Sequence, residues 1–404
     1  MATKGVVFVT GAAGYVGSHS VLELMKNGYD VVAVDNCSNA VILDETNGLA
    51  KNGATLSGHH TLPESLRRVE QIVGKKLKAF YKVDISDEKT IDGIFGANKF
   101  DAVIHFAALK AVGESCQIPL AYYRNNVGGT VTLLDIMKRN GVKKFIFSSS
   151  ATVYGSADYL PIDESHPTGR NCTNPYGKTK YFIEEILKDL CVSEKGWSVA
   201  SLRYFNPVGA HESGEIGEDP HGVPNNLMPY LCQVAVRRRP YLNVFGNDFK
   251  TSDGTGVRDY IHIMDLAKGH VMTLDTMLAE NWNGWNVLNL GAGRGYSVLD
   301  VISAFEESTG VNIPYKIVDR RLGDIDELWA DVQKANDKLN WKAELSLKDM
   351  CAHSWKWQSK NPMGYQTSEV VAVKNGVSNG NHSNGNGVNG SNGNNLKAIN
   401  GNKN

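Results

Sequence analysis

The chain has 404 residues, of which 42% are hydrophobic and 21% are charged, so most of it has enough apolar material for a buried core. Its 42 Lys and Arg against 43 Asp and Glu give a net charge of −1, which argues against a nucleic-acid binder and against attachment to a membrane surface through basic patches. No stretch approaches the roughly 18 apolar residues of a membrane span, and the N-terminal apolar run is too short for a signal peptide. The 6 cysteines stand singly and the 11 histidines show no metal-binding spacing, which predicts reduced thiols, no metal site and a cytoplasmic location.

Five short apolar runs, rich in β-branched and aromatic residues, predict parallel strands that are covered on both faces. They span residues 5–10, 31–35, 102–106, 144–149 and 199–204. Amphipathic segments such as residues 18–27 and 126–140 separate them and predict helices. This alternation predicts an α/β fold built on a doubly wound parallel Rossmann sheet.

The pattern changes twice after the fifth strand. The regularity falls after residue 207, and from residue 366 the chain is mostly Asn and Gly. We therefore predict a Rossmann domain over 1–206, a smaller C-terminal α/β substrate domain over 207–365 with some chain crossover, and a disordered tail over 366–404. Residues 40–61 predict a long loop inserted after an early strand.

The first predicted strand leads directly into a glycine loop, in which Gly11, Gly14 and Gly17 stand three residues apart. Glycine lets the backbone turn tightly and approach a pyrophosphate at the N-terminus of the next helix. Asp35 closes the second strand, where a carboxylate binds ribose hydroxyls and repels a 2′-phosphate, so we predict NAD rather than NADP. The alternative is a glycine-rich loop in an α/β protein without a cofactor.

A second motif lies at residues 174–180, where Asn174 and Pro175 predict the cap and first residue of a helix. Tyr176 and Lys180 then lie one turn apart on one face. A lysine ammonium and a cationic nicotinamide would both lower the tyrosine pKa from about 10, so that Tyr176 can act as a general base. Ser150 directly follows a predicted strand, at the edge of the sheet where ligands bind, and could hydrogen-bond to Tyr176. The alternative is a Tyr–Lys pair on a solvated helix face.

These motifs resemble the extended short-chain dehydrogenase/reductase superfamily, and longer strings resemble its family of UDP-glucose 4-epimerases. The strings are residues 105–115, 148–155, 203–211, 224–230 and 254–262. The resemblance runs from residue 5 to about residue 365, and it departs from the family at Ala108, where glycine is usual, and in the loop over 40–61. It implies reversible 4-epimerisation of UDP-galactose and UDP-glucose through a transient 4-keto sugar, with tightly bound NAD+ and with Tyr176, Lys180 and Ser150 as catalytic residues.

The resemblance also implies further site residues by matching position. The cofactor contacts would come from Gly11, Gly14, Tyr15, Val16, Gly17, Asp35, Asn36, Asp84, Ile85, Phe106, Ala107, Lys110, Asn125, Ser150, Tyr176, Lys180 and Phe205. The UDP-sugar contacts would come from Lys110, Ser150, Thr152, Tyr176, Asn206, Asn226, Leu227, Phe245, Arg258, Tyr260, Arg321, Asp324 and Leu328. Among them, Arg258 and Arg321 would bind the diphosphate and Asp324 a ribose hydroxyl. The alternative for any single residue is an ordinary surface arginine or a core aromatic.

Two finer expectations follow from the same resemblance. By this resemblance, Leu328 stands at the position that gates the sugar pocket. Leucine is smaller than the tyrosine that restricts the pocket and larger than the small residues that open it, which predicts slow activity on UDP-GlcNAc and UDP-GalNAc. A homodimer would pair through the helix after Tyr176 and the helix that opens near Asn126. The apolar residues compatible with that pairing are Phe182, Ile183, Ile186 and Leu187.

Two competing functions remain open at this stage. A 4,6-dehydratase or decarboxylase is a nucleotide-sugar enzyme of the same fold, but a dehydratase carries Asp-Glu after the strand-end threonine, where this chain has Val153 and Tyr154. A non-catalytic NAD sensor should have lost Ser150, Tyr176 or Lys180, and all three are present.

Overall fold

The computed structural model describes residues 3–43, 61–279, 282–321 and 324–366. The strands are β1 (Val6–Thr10), β2 (Asp30–Asp35), β3 (Ala79–Lys82), β4 (Ala102–His105), β5 (Lys144–Ser150), β6 (Ser198–Tyr204), β7 (Asn206–Val208), β8 (Leu242–Phe245), β9 (Val257–Arg258), β10 (Tyr260–His262), β11 (Gly284–Leu290), β12 (Tyr296–Ser297), β13 (Tyr315–Val318) and β14 (Glu327–Leu328).

The helices alternate with these strands through most of the chain. They are α1 (Tyr15–Lys26), α2 (Glu64–Val73), α3 (Glu88–Ala97), α4 (Val112–Gln117), α5 (Pro119–Tyr122), α6 (Gly129–Arg139), α7 (Pro175–Ser193), α8 (Leu227–Ala235), α9 (Ile263–Ala279), α10 (Val298–Thr309), α11 (Gln333–Leu339) and α12 (Leu347–Lys360). A π-helical segment, Tyr123–Gly128, joins α5 to α6, and a 3-10 turn, Ala151–Val153, follows β5.

Seven parallel strands form the central sheet in the order β11-β6-β5-β4-β1-β2-β3. The order reverses between β1 and β4, so the carboxyl ends of these two strands open onto the crevice where doubly wound sheets bind ligands. The predicted fold class is confirmed, and the five predicted strands lie within one residue of β1, β2, β4, β5 and β6.

Both faces of the sheet are buried, which explains why its strands read as continuous apolar runs. Along β2, Val31 and Ala33 pack into one core with α1, α2 and α9, while Val32 and Val34 pack into a second core with α3, α6 and α7. Successive strand residues point to opposite faces, so the alternation of β2 supplies both cores at once.

The chain returns to the central sheet late in the sequence, because β11 pairs with β6 in parallel from Gly284 to Leu290. The other strands after β6 form three small sheets, β10-β7, β12-β9-β14 and β13-β8. A third apolar core lies among α8, α10 and α12. The sequence prediction of two domains with crossover stays a prediction. The predicted tail over 366–404 lies outside the described residues except for Gln366, and so does most of the predicted loop over 40–61.

Among the described residues, no helix is both long and apolar enough to cross a bilayer.

Candidate active site

The turn after β1 has no room for a side chain at two of its three glycines. Gly11 has a φ of +64°, and a Cβ there would lie 2.6 Å from the backbone nitrogen of Ala107. A Cβ on Gly17 would lie 2.1 Å from the carbonyl oxygen of Gly11, whereas one on Gly14 would have its nearest contact at 3.4 Å. The glycines therefore allow α1 to start close against the strand ends, with its N-terminus facing the crevice where a pyrophosphate can bind.

Asp35 ends β2 beside this turn. Its carboxylate accepts hydrogen bonds from two backbone N–H groups, at 2.8 and 2.9 Å, and burial raises its pKa. The Nδ2 of the next residue, Asn36, donates to Asp84 at 2.7 Å. Burial alone would raise the pKa of Asp84, but hydrogen bonds from Ser86 and Asn36 outweigh it and lower that pKa. These groups lie together where the sequence predicts the adenosine half of a dinucleotide.

Helix α7 begins as the sequence predicts. Asn174 caps it, and its side chain accepts a hydrogen bond from the backbone nitrogen of Gly177 at 2.9 Å. Pro175 is the first helical residue. The ammonium of Lys180 lies 5.9 Å from the centre of the Tyr176 ring, so the two side chains share one face of the helix.

The end of β5 holds this helix face. The Nζ of Lys180 donates to the carbonyl oxygen of Ser148 at 2.6 Å, and Tyr176 forms a side-chain hydrogen bond with Ser150. The hydroxyl of Thr152 donates to Ser150 Oγ at 3.0 Å. The structure thus brings together all four polar residues that the sequence assigns to the reacting end of the site.

Burial dominates the protonation of this group in the chain by itself. It raises the pKa of Tyr176 to about 12, against the effect of the hydrogen bond from Ser150. It lowers the pKa of Lys180 to about 7, against the negative charge of Glu184. The sequence predicts that Lys180 and a cationic nicotinamide lower the tyrosine pKa. In the chain by itself that pKa is raised instead, so Tyr176 is protonated at neutral pH.

A second group of predicted residues lies on β7, β9 and β10. Asn206 donates its backbone N–H to the carbonyl oxygen of Asp259 at 3.0 Å and pairs with Tyr260 across the two strands. Burial raises the pKa of Tyr260 to about 12, although the charges of Arg258 and Arg321 oppose it. Burial also lowers the pKa of Arg258. Two arginines therefore act on the same small region, which suits a ligand with two negative charges.

Arg321 has partners of its own in the structure. It forms an ion pair with Asp324, with its Nε donating at 3.0 Å and its Nη2 at 3.3 Å, and its guanidinium lies 4.8 Å from the centre of the Phe245 ring. All three residues are among the predicted UDP-sugar contacts. The predicted ribose-binding carboxylate is thus paired with a predicted diphosphate-binding arginine.

One carboxylate binds both Lys110 and Asn226, two of the predicted site residues. The Nζ of Lys110 donates to Glu218 Oε1 at 3.2 Å, and Asn226 Nδ2 donates to the same oxygen at 3.5 Å. Sequence reasoning missed Glu218, because it follows an irregular stretch without periodicity. No sequence signal pairs it with Lys110, which stands 108 residues earlier.

The other predicted residues lie on the elements that surround these groups. Tyr15 and Val16 open α1, Phe106 and Ala107 follow β4, Asn125 lies in the π-helical segment, Phe205 joins β6 to β7, Leu227 opens α8, Leu328 ends β14, and Ile85 is buried beside Gly129. The hydroxyl of Tyr15 donates to the carbonyl oxygen of Gly209 at 2.7 Å. Its polar end is therefore engaged with the loop after β7.

The sequence analysis also missed two buried charged residues, one on the catalytic helix and one on a neighbouring strand. Glu184 lies on α7 and Arg203 on β6, and they form an ion pair at 2.6 Å with exposures of 0% and 2%. Helical spacing was the signal for Glu184, which follows Lys180 by one turn. Nothing in the sequence pairs it with Arg203.

The residues present fit a dinucleotide. The glycine turn leaves no Cβ where the backbone turns closely into α1, and Asp35 stands at the end of the next strand. Tyr176 and Lys180 share one face of α7, against the carboxyl end of β5. Together with the parallel sheet, this arrangement defines an enzyme of the extended short-chain dehydrogenase/reductase class.

Comparison with known proteins narrows the class. The model of a family described as GDP-mannose 4,6 dehydratase matches residues 8–354. The UDP-glucose 4-epimerase of Drosophila melanogaster is 58% identical over 359 residues, which are 89% of this chain and 98% of that protein. The human UDP-glucose 4-epimerase is 54% identical over 361 residues, which are 89% and 98%. A crystal structure of UDP-glucose 4-epimerase from Bifidobacterium longum in complex with NAD+ and UDP has a TM-score of 0.80 and 50% identity, and the match covers 89% of this chain and 99% of that one.

The chain belongs to the UDP-glucose 4-epimerase family.

Proposed function

We propose that this protein interconverts UDP-galactose and UDP-glucose by inverting the sugar C4, with NAD+ bound throughout. The observation that carries the proposal is the joining of Ser150, Tyr176 and Lys180 at the carboxyl end of β5. The relatives named above support the same activity, since they are UDP-glucose 4-epimerases.

In this reaction Tyr176 holds and returns the proton of the sugar 4-hydroxyl. Ser150 hydrogen-bonds to the tyrosine oxygen, and the Lys180 ammonium, anchored on the Ser148 carbonyl, stabilises the phenolate by its charge. The bound NAD+ supplies a positive charge and reversible hydride acceptance. Because the proton and the hydride both come back to the sugar, the reaction is an isomerisation without net oxidation.

Binding of the nucleotide rests on charge. A UDP group carries about two negative charges, and Arg258 and Arg321 offer two positive ones near Tyr260. When the diphosphate binds, Arg321 would either leave Asp324 or divide its N–H donors between the carboxylate and the phosphates. These roles predict that replacing either arginine raises KM more than it lowers kcat.

A 4,6-dehydratase is the competing function, since the matching family model carries that description. Such an enzyme needs an acid next to the sugar C6. The residues after Thr152 are Val153 and Tyr154, which are 0% and 1% exposed, and the Tyr154 hydroxyl is engaged with Asn289 and Arg203. The absence of a carboxylate at these two positions favours epimerisation.

The test incubates purified protein with UDP-galactose and no added NAD. We expect UDP-glucose, whereas a dehydratase makes a 4-keto-6-deoxy sugar and a sensor makes no product. Tyr176→Phe in the same assay is the control for a contaminating enzyme. A failure of the wild-type protein to form UDP-glucose, even after NAD+ is added, would contradict the proposal.

The same site gives a finer proposal about substrate range. Leu328 is partly exposed and packs against an apolar cluster that includes Ala151 and Phe205, which adjoin Ser150 and Asn206 in the sequence. A leucine there leaves more room than a tyrosine and less than a small residue, so we propose slow interconversion of UDP-GlcNAc and UDP-GalNAc. In Leu328→Tyr, activity on the N-acetylated sugars should fall while activity on UDP-galactose persists. A proportional loss of both, or of neither, would contradict the gate.

A homodimer is the third proposal, and the structure corrects its residues. Ile183 and Leu187 are buried in the protein's own core, so these two are not free for a partner, while Ile186 is partly buried against that core. Helix α7 and the segment 112–122, which holds α4 and α5, do expose apolar side chains. They are Val112, Ile118, Leu120 and Phe182.

Sedimentation at low micromolar concentration tests this pairing. We expect a dimer for the wild-type protein and a monomer for Leu120→Asp, because Leu120 is 74% exposed and a charge would be buried in the interface. Tyr315→Asp, at an exposed apolar residue on β13, is the matched control and should remain dimeric. A wild-type monomer would contradict the proposal.

We also propose a cytoplasmic location, which the six unpaired cysteines support.

A further inference from the structure

Three successive residues of β5 contact three residues of α7 that stand four apart. Ser150 hydrogen-bonds to Tyr176, and the Ser148 carbonyl accepts from Lys180 at 2.6 Å. The hydroxyl of the intervening serine, Ser149, donates to Glu184 at 2.5 Å. The face of α7 that carries the base and its lysine therefore has a third polar member, one turn further on.

Glu184 is also bound from the neighbouring strand. Arg203 of β6 donates to it twice, from Nε at 3.0 Å and from Nη2 at 2.6 Å. The pair is almost fully buried. Burying two charges costs free energy that a well-formed pair only partly recovers, so the pair is a weak source of stability. Its bidentate geometry fixes orientation instead.

The pair belongs to a row that crosses three strands. Ser149 of β5 stands opposite Arg203 of β6, which stands opposite Asn289 of β11. Arg203 donates through Nη1 to the Tyr154 hydroxyl at 2.9 Å, and that hydroxyl donates to Asn289 at 2.6 Å. The row thereby holds Glu184 from three adjacent strands at one side of the sheet.

We infer that Glu184 and Arg203 are a positioning pair for the epimerase reaction: they seat the catalytic face of α7 on β5 and supply the negative charge that keeps Lys180 protonated. The inference rests on the proposed function. Glu184 does not touch the reacting atoms, so its effect passes through Lys180 and Tyr176.

The other groups described around Lys180 carry no negative charge near neutral pH, so the role belongs to Glu184. On α7 its titratable neighbour is Tyr176, which is neutral in the chain by itself. On β4, His105 is within electrostatic reach, and its pKa is lowered to about 3 by burial and by Lys180, so it carries no charge near neutral pH. The ring of Phe147 on β5 lies 4.8 Å from the ammonium. Burial raises the pKa of Tyr204, at the end of β6, well above its usual range.

The test is a titration of Lys180 itself, followed by NMR on protein with isotope-labelled lysine and assigned by the signal lost in Lys180→Met. In Glu184→Gln the Lys180 pKa should fall by about 1 unit, because a negative charge is lost and Arg203 is left unpaired. In Arg203→Gln it should rise by about the same amount, because Glu184 is left unpaired. Shifts of opposite sign support the pair's electrostatic role, and shifts of one sign, or none, overturn it.

Either single change leaves a buried charge alone and can prevent folding. The double variant Glu184→Gln/Arg203→Gln leaves none, so it keeps the test decisive: its Lys180 pKa should lie below that of the wild-type protein, since the charge of Glu184 raises that pKa. An unchanged Lys180 pKa in the folded double variant would overturn the inference. Asp265→Asn, at a buried carboxylate on α9 that binds the backbone of residues 344 and 345, is the matched control and should not move this pKa.

Kinetics separates this inference from the proposed function. If wild-type protein forms UDP-glucose, the double variant should lose kcat at least tenfold at neutral pH with KM little changed, because no substrate contact is removed. A rise in KM without a loss of kcat would overturn the positioning role. If the wild-type protein forms no UDP-glucose, the proposed function fails, while the titration still reports whether Glu184 and Arg203 set the charge of Lys180.

Discussion

Tyr176 and its near neighbour Tyr181 lie on the same helix and should differ sharply in their effect on activity. Tyr176→Phe removes the only atom of the side chain that can hold the 4-hydroxyl proton. We expect kcat to fall by about 10²–10⁴, with NAD still retained, because the ring keeps its packing. Tyr181→Phe should leave kcat within about twofold. Steady-state kinetics and the absorbance of released nucleotide measure both, and near-normal activity of Tyr176→Phe would exclude it as the base.

Lys180 should affect the pH at which the enzyme works. Removing its ammonium in Lys180→Met takes away a charge that stabilises the phenolate, so a higher pH is required to form it. We expect a large loss of kcat at neutral pH and an upward displacement of the pH optimum. A pH–rate profile from about pH 6 to pH 10 measures this, and a profile of unchanged shape would mean that the lysine does not tune Tyr176.

For single residues, the sequence predicted the positions that follow from local helix and strand geometry. Tyr176 and Lys180 were found because a helix brings residues four apart together, and Ser150 because ligands meet the carboxyl ends of parallel strands. Glu218 and Arg203 were not found. Their partners are 108 and 19 residues away, and only the folded chain brings them together.

Among the elements, the glycine turn before α1 should be far less tolerant than a glycine on an open helix surface. The Cβ of Gly17→Ala would lie 2.1 Å from the Gly11 oxygen, so α1 must shift. We expect NAD to be lost on gel filtration and activity to fall at least tenfold. Gly96→Ala on α3 meets nothing within 4 Å and should stabilise the protein by about 0.5–1 kcal/mol. Equal retention of NAD in both variants would contradict this account of the turn.

The sequence predicted the strands that are buried on both faces of the sheet. The central strands β1, β2, β4, β5 and β6 are covered on both faces, and their apolar runs mark them clearly. β11 was missed because its sequence, GWNVLNL, places asparagines among the apolar residues. One of them, Asn289, is fully buried and bonded to Tyr154, a role that its own neighbours in sequence do not indicate.

For the whole molecule, buried histidines should set the acid limit of stability. Burial lowers the pKa of His19, His211 and His270 to about 4, and of His105 and His262 to about 3. The unfolded chain binds their protons near pH 6.5. The stabilisation is therefore complete above about pH 6.5 and is lost as the pH falls toward about 4. Burial raises the pKa of Asp259 to about 6. It also raises the pKa of Glu23, Asp35, Glu164, Asp219 and Asp265, so these carboxyls act in the opposite direction and reduce the slope that the histidines set.

Urea unfolding at a series of pH values measures the effect. The free energy of unfolding should fall by at least about 1.4 kcal/mol per pH unit below pH 6, which is the slope of a single such group. His19→Gln should reduce the slope, while His221→Gln, at an exposed position, should not. A free energy that stays constant between pH 6 and pH 4.5 would show that these histidines do not govern acid stability.

The late return of β11 to the sheet has a consequence for synthesis on the ribosome. Until residues 284–290 have emerged, β6 has an open edge with unpaired backbone groups and an uncovered apolar flank. At ordinary rates of translation this lasts several seconds. During that interval the nascent chain offers a template for pairing with other chains, which makes it a natural client for chaperones that bind extended segments.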